Sequence, residues 1–171
     1  RKPLRLIDEA TTIAVTDETS TAALLLRLIL EQRYQLTPNA YQRGRSEEAD
    51  AVLLIGDEAL TFQATNRTYP FEIDLAFEWW LWQHLPAVFA VWAIRTDCSA
   101  SEKQHLSRSL QQQLARNLAR LDVLAAERAG LLGVPAEHLK SYLENFVYRF
   151  SEPEEQAIKR FEHLLHEHRL L

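Results

Sequence analysis

The chain has 171 residues, 47% hydrophobic and 25% charged, with 19 basic side chains against 24 acidic ones and a formal charge of −5. That length buries one ordinary core, or one lobe and part of a second. Its basic residues are scattered among acids, so counterion release has little to act on and nucleic acid is set aside as a partner.

Residues 11–16 (TTIAVT) are short and β-branched, and Ser/Thr/Asp chemistry follows at once, so they read as a buried strand ending at a helix start. From 21 to 34 the apolar Leu24, Leu25, Leu28 and Ile29 form a helical stripe. Residues 35–48 are polar and punctuated by Pro38, Asn39 and Gly44, and 51–55 (AVLLI) is a second buried strand. Gly56-Asp57 then opens a short helical turn through Leu60, and a loop over 61–73 follows. Asp74 caps a helix to about Gln83 that carries Trp79, Trp80 and Trp82, and after Pro86 a third strand is expected over 88–94 (VFAVWAI). Strands alternating with helices point to a largely parallel, covered sheet.

Beyond this the strand signal stops. Ser99 and Glu102 make a capping box, with Leu106, Leu110, Leu114, Leu118 and Leu121 recurring about one turn apart. A break over 130–135 precedes a helix near 138–148. Ser151 and Glu154 cap the last helix, whose inward face is Ile158, Phe161, Leu164 and Leu165.

Cys98 has no partner for an internal disulfide, which favours a reducing compartment. Apolar runs such as 51–55 and 87–93 fall far short of the roughly 20 residues that span a bilayer. The lack of methionine and the opening Arg1-Lys2-Pro3 lead to the expectation that residues upstream are missing. Nothing in the sequence fixes an oligomeric state.

Candidate chemistry lies where strands hand over to helices. The string Thr16-Asp17-Glu18-Thr19-Ser20-Thr21 would set unpaired N–H groups and the hydroxyls of Ser20 and Thr21 around a carboxylate or phosphate, or would serve as ordinary capping. Gly56 would let backbone approach a ligand, with Asp57 accepting from a substrate hydroxyl or acting as an N-cap. Trp79, Trp80 and Trp82 read mainly as packing, and Trp92 could line a cleft. His163, His166 and His168 read as a solvated face and not as metal ligands. Asn66-Arg67-Thr68 matches a glycosylation sequon, which matters only in a secreted protein.

The residues 49–60 (ADAVLLIGDEAL), with Asp74-Leu75, Trp79 and 85–92 (LPAVFAVW), resemble the MqnA/MqnD family of menaquinone biosynthesis. Within it the Phe-Ala-Val-Trp string is more similar to the chorismate dehydratase branch than to the naphthoate synthase branch. The resemblance implies a type II periplasmic-binding-protein-like α/β fold of two lobes. Residues 1–95 would form an α/β lobe with a hinge-crossing strand at about 88–94, and 96–171 a helical part packing on the other lobe. It further implies a cytoplasmic hydro-lyase converting chorismate to 3-[(1-carboxyvinyl)oxy]benzoate with no redox cofactor or metal, since aromatisation drives the loss of water. Ser20, Thr21, Gly56, Asp57 and Trp92 would bind the substrate. A non-catalytic solute-binding or sensing domain is the rival on such a fold. Thr19 stands where the family has arginine and Ala76 interrupts its Asp-Leu-Gly. The family's early Tyr-Leu-Asn motif and substrate-site serine are expected in a first lobe that this sequence lacks.

Overall fold

Thr12–Val15 (β1) lies between Ala40–Arg43 (β2) and Ala51–Leu53 (β3) in a three-stranded parallel sheet of order β2-β1-β3, in a computed structural model that describes residues 7–9, 11–16, 20–44, 48–66 and 68–171. Thr12 pairs with Ala40 and Val15 with Arg43 on one side; Ile13 pairs with Ala51 and Val15 with Leu53 on the other. β1 is central because Ile13, Ala14 and Val15 are apolar in succession and all buried, as a strand covered on both faces requires. β2 falls in a stretch expected to be a polar linker. As an edge strand it keeps only Ala40 and Tyr41 partly covered, with Gln42 and Arg43 exposed, so it carries no continuous apolar signal.

The chain divides into two units, each with its own packing. The first takes the described residues up to Phe89 together with Phe150–Leu171, and the second takes Ala90–Arg149.

In the first unit, helix α1 (Thr21–Arg27) runs without a break into a π-helical stretch over Leu28–Arg33. Leu28, Ile29 and Leu30 are consecutive and all buried. Three successive positions cannot share one face of a helix. This segment therefore buries opposite sides: Leu30 joins Ile13, Val15, Ala22 and Leu53 against the sheet, while Leu28 and Ile29 join Leu25, Trp79, Leu164 and Leu165. Arg33 closes the end of the segment onto Glu78, pairing with Oε2 at 2.9 Å and donating to its backbone carbonyl. The Tyr34 hydroxyl donates to the same carboxylate at 2.5 Å, and burial followed by that neighbouring charge pushes its phenol up.

Helix α2 spans Gly56–Thr65, beyond the single turn expected, and Asn66 then shapes the loop with its side chain. Asn66 Oδ1 accepts from Thr68 N at 2.8 Å and Tyr69 N at 2.9 Å, and its Nδ2 donates to Tyr69 O at 2.7 Å. Helix α3 (Leu75–Gln83) starts as expected, with Asp74 Oδ1 accepting from Phe77 N at 3.0 Å. Trp79 is 2% exposed; its ring meets Trp82 and Phe161 edge-on with centroids 6.1 and 5.8 Å away, and its Nε1 donates to Pro86 O at 3.1 Å.

Two segments differ from the regular pattern among the described residues. Residues 88–94 join no sheet: a β-branched and aromatic run becomes a strand only beside a partner, and none of the described residues supplies one. The last helix, α7 (Glu152–Glu167), belongs to the first unit and not with the helices before it, because Leu164, Leu165 and Phe161 pack around Trp79 while Arg160 Nε donates to Gln83 Oε1 at 2.8 Å.

The second unit holds helices α4 (Ala100–Leu118), α5 (Leu121–Leu132) and α6 (Ala136–Glu144). The expected capping box is present, with Ser99 N donating to Glu102 Oε2 at 2.8 Å and Ser99 Oγ accepting from Glu102 N at 3.2 Å. The break falls at Gly133, whose φ of 68° ends α5 in the left-handed region. α5 and α6 form a hairpin that buries Ala125, Ala129, Val134 and Leu139, whereas α4 buries no residue at all.

Replacing Trp79 by alanine deletes the hub of the α1, α3 and α7 contacts. It should lower stability by about 3–5 kcal/mol in urea titrations, against about 0.5 kcal/mol for Trp92→Ala. A loss below about 1 kcal/mol at Trp79 would remove it from the core.

Candidate functional site

β1 and β3 are neighbours and run parallel, about 4.8 Å apart, with Val15 and Leu53 in register at their carboxyl ends. From β1 the chain goes by α1 to β2 on one side of the sheet, while β3 lies on the other side. The crevice above β1 and β3 is therefore a topological switch point, the place where open α/β sheets hold ligands. Ser20, Thr21, Gly56 and Asp57 all lie in the two connections that leave this edge. Trp92 does not join them. It sits in the second unit, outside any strand and 85% exposed.

The two helix starts differ in charge. Ser20 is the N-cap of α1 with φ −109° and ψ −54°, and its side chain makes no capping hydrogen bond. Its hydroxyl is not spent within the helix, so ordinary capping does not account for it. The first turn of α1 holds no acid, leaving the positive end of the helix dipole and its unpaired N–H groups uncompensated by side chains of that turn. α2 is the reverse: Ile55 occupies its N-cap, and Asp57 and Glu58 stand in the first turn. Asp57 is thus not the N-cap, but lies where a carboxylate is favoured by the dipole. An anion suits the first helix start; a hydroxyl or other donor suits the second.

Gly56 has φ of 58°, and a Cβ built there meets nothing within 4 Å. Backbone conformation, not crowding, is what calls for glycine at this corner. Beside Thr21 a cleft of about 30 Å³ runs along Leu25, Trp79, Pro86, Phe89 and Phe161, far below the roughly 300 Å³ at which ligand pockets begin. It cannot hold a ring.

Sequence reasoning passed over one group. Thr16, the first residue beyond β1, buries its hydroxyl oxygen with no hydrogen-bond partner among the described residues. Leaving such an atom unsatisfied costs about 1–3 kcal/mol, and its place at the switch point was the one available signal. Asp17, Glu18 and Thr19, along with Arg67 of the sequon, lie outside the described residues. Ala76 sits half-covered in the first turn of α3. His163 and His166 are exposed, with His163 Nε2 3.6 Å from Glu167. Among the described residues no group of three or more His, Cys, Asp or Glu could hold a metal ion, and no helix is long and apolar enough to cross a membrane.

The described residues are a mixed α/β chain whose small parallel sheet has two helix starts, α1 and α2, at its switch point. The family model described as menaquinone biosynthesis matches residues 1–167, and the chain belongs to that family. It is 32% identical over 168 residues to the chorismate dehydratase of Thermus thermophilus, covering 87% of this chain. The chain spans 60% of that relative's length.

Gly56→Ala tests the backbone reading of the corner. An L side chain in the left-handed region costs about 1–2 kcal/mol, so a stability loss of that size is expected in urea denaturation. An unchanged midpoint would show that the corner relaxes and that glycine answers another need.

Proposed function

We propose that this chain is the ligand-gripping part of a chorismate dehydratase, a hydro-lyase that converts chorismate to 3-[(1-carboxyvinyl)oxy]benzoate in the cytoplasm. The observation that carries this reading, beside family membership, is the division of charge across the switch point. Chorismate presents two carboxylates and a ring hydroxyl, and the two helix starts match those groups in kind. A carboxylate at α1 would take the Ser20 and Thr21 hydroxyls and the first-turn N–H groups. Asp57 would accept from the ring hydroxyl, and Gly56 sets the corner from which it projects.

The chemistry asks little of the protein beyond placement. Loss of water makes the ring aromatic, so neither a redox cofactor nor a metal enters the scheme. Fixing both ends of the substrate and excluding solvent supplies orientation and strengthens each polar contact.

The complete enzyme is read as a two-lobed, periplasmic-binding-protein-like fold closing over the substrate. Three features support this. The cleft beside Thr21 is too small for the substrate ring, so a second surface has to enclose it. The second unit buries only Ala125, Ala129, Val134 and Leu139 while exposing Val91, Trp92, Ile94, Phe146 and Val147, which calls for a cover. The chain also spans only 60% of the Thermus protein. The run 88–94, whose sequence is strand-like, would find its missing ladder in such a second lobe, and Trp92 would come to face the substrate there.

Chorismate should raise the melting temperature of the protein made from the complete reading frame. A hundredfold excess over Kd adds about 2.7 kcal/mol, or roughly 5–10 °C. The 171-residue chain alone should show neither the shift nor the aromatic product in ultraviolet absorbance. If the complete protein neither shifts nor yields product, the assignment fails. Product from the 171 residues alone would place all the chemistry among Ser20, Thr21, Asp57 and Trp92.

The Ser20→Ala/Thr21→Ala pair should weaken chorismate binding in calorimetry at least tenfold, since hydrogen bonds to charged groups are worth about 1.5–3 kcal/mol each. Stability should hardly change, because Ser20 makes no capping bond. Asp57→Asn should slow turnover while stability falls by no more than the roughly 0.3–1 kcal/mol of a charge at a helix start. Equal affinity in the double variant would take the carboxylate away from α1.

A further inference from the structure

Helix α3 has an apolar side for which the first unit has no use. Only Glu78 and Gln83 of its nine residues are polar, and a helix apolar all round is normally buried all round. Trp79 and Trp82 face the core, but Phe77 is 55% exposed, Trp80 51% and Leu81 39%. With His84 these fall at the i, i+3, i+4 and i+7 positions of one stripe. The Phe77 and Trp80 rings stack with centroids 6.1 Å apart, and Trp80 meets His84 edge-on at 6.3 Å. Glu78, the one acid within the helix, is turned away and held by Arg33 and Tyr34, so no charge interrupts the stripe. Such a surface is on the order of a few hundred Å², the size at which an apolar patch usually has a partner.

We propose that this stripe is the centre of a two-fold interface in which α3 packs antiparallel against α3 of a second copy of the chain. The charges at the two ends of the helix select that occupant and that direction. Exposed Glu72 and Asp74 precede the amino end. At the carboxyl end stands the Arg160 guanidinium, which Gln83 fixes there through the 2.8 Å bond from Nε. Antiparallel pairing brings the acids of each copy towards Arg160 of the other and opposes the two helix dipoles, whereas parallel pairing would set like against like. The midpoint of the stripe falls at Trp80, so the axis passes beside this residue and each indole lies against its counterpart, as a self-complementary contact requires. The apolar stripe alone is below the roughly 800 Å² per subunit of a stable dimer, so the charged ends contribute the rim.

Sedimentation equilibrium on the purified protein, in the presence and absence of lipid vesicles, tests this. The wild type is expected to be a dimer, and Trp80→Ser to raise its dissociation constant at least tenfold. Glu72→Lys and Arg160→Glu should each weaken the dimer, and the two together should restore it, because the exchanged charges meet again across the axis. Circular dichroism melting identifies any variant that fails to fold, and the charge exchange carries the test if Trp80→Ser is one of them. A wild type that stays monomeric overturns the proposal, including one that binds vesicles and so gives this face to a bilayer. A dimer indifferent to Trp80→Ser, or charge variants without mutual rescue, would equally overturn it.

Discussion

The first unit depends on one segment being buried from two sides at once. Leu28, Ile29 and Leu30 follow one another directly, and the chain satisfies them by sending Leu30 to the sheet and Leu28 and Ile29 to α3 and α7. A regular α-helix turns about 100° per residue, so three successive positions spread over more than half of its circumference. Because this segment touches both layers, the sheet on one side and Trp79 with Leu164 and Leu165 on the other are referred to the same backbone. The start of α1 is thereby held against β1, and the Arg33 and Tyr34 contacts to Glu78 hold its far end to α3. A helix start proposed to contact a ligand would gain precision from such rigid supports.

That rigidity matters because the two helix starts act as opposites. α1 leaves its first turn without acid, and α2 places Asp57 and Glu58 in its own. On the function proposed above, a ligand with an anionic end and a donor end would meet both, and the reversed orientation would set carboxylate against carboxylate. Tyr41 lends a second brace on the opposite side of β1: its hydroxyl donates to Glu31 Oε1 at 3.2 Å, Arg27 lies 5.5 Å over its ring, and burial pushes its phenol well up.

What could be read from the sequence was what neighbouring residues decide. Ser99 with Glu102 and Ser151 with Glu154 named two helix starts, since each box closes within four positions. TTIAVT was legible as a strand because burial on both faces leaves no polar position to confuse the pattern, and AVLLI because it is apolar throughout, although of its strand residues only Leu53 is buried. AYQR was not, since an edge strand is half polar, and VFAVWAI misled because strand character lies partly in a neighbour that a single run does not contain. The apolar face of α7 was visible in Phe161, Leu164 and Leu165, but not its destination, which Trp79 sets from far back in the chain. Ser20, Thr21, Gly56 and Asp57 could be placed at helix starts because strand, turn and helix follow in order. The buried hydroxyl of Thr16 was hidden, since only packing shows which oxygen is left unsatisfied.

The return of α7 to the first unit has a consequence for synthesis on the ribosome. The sheet and α1 emerge early, yet Leu164, Leu165 and Phe161, which complete the cover over Trp79, Leu28 and Ile29, are made only after all of α4, α5 and α6. Through that interval the nascent chain carries an open apolar face on an otherwise assembled sheet. Contacts of such high sequence separation form slowly, and a half-closed core of this kind is a surface on which chaperones act.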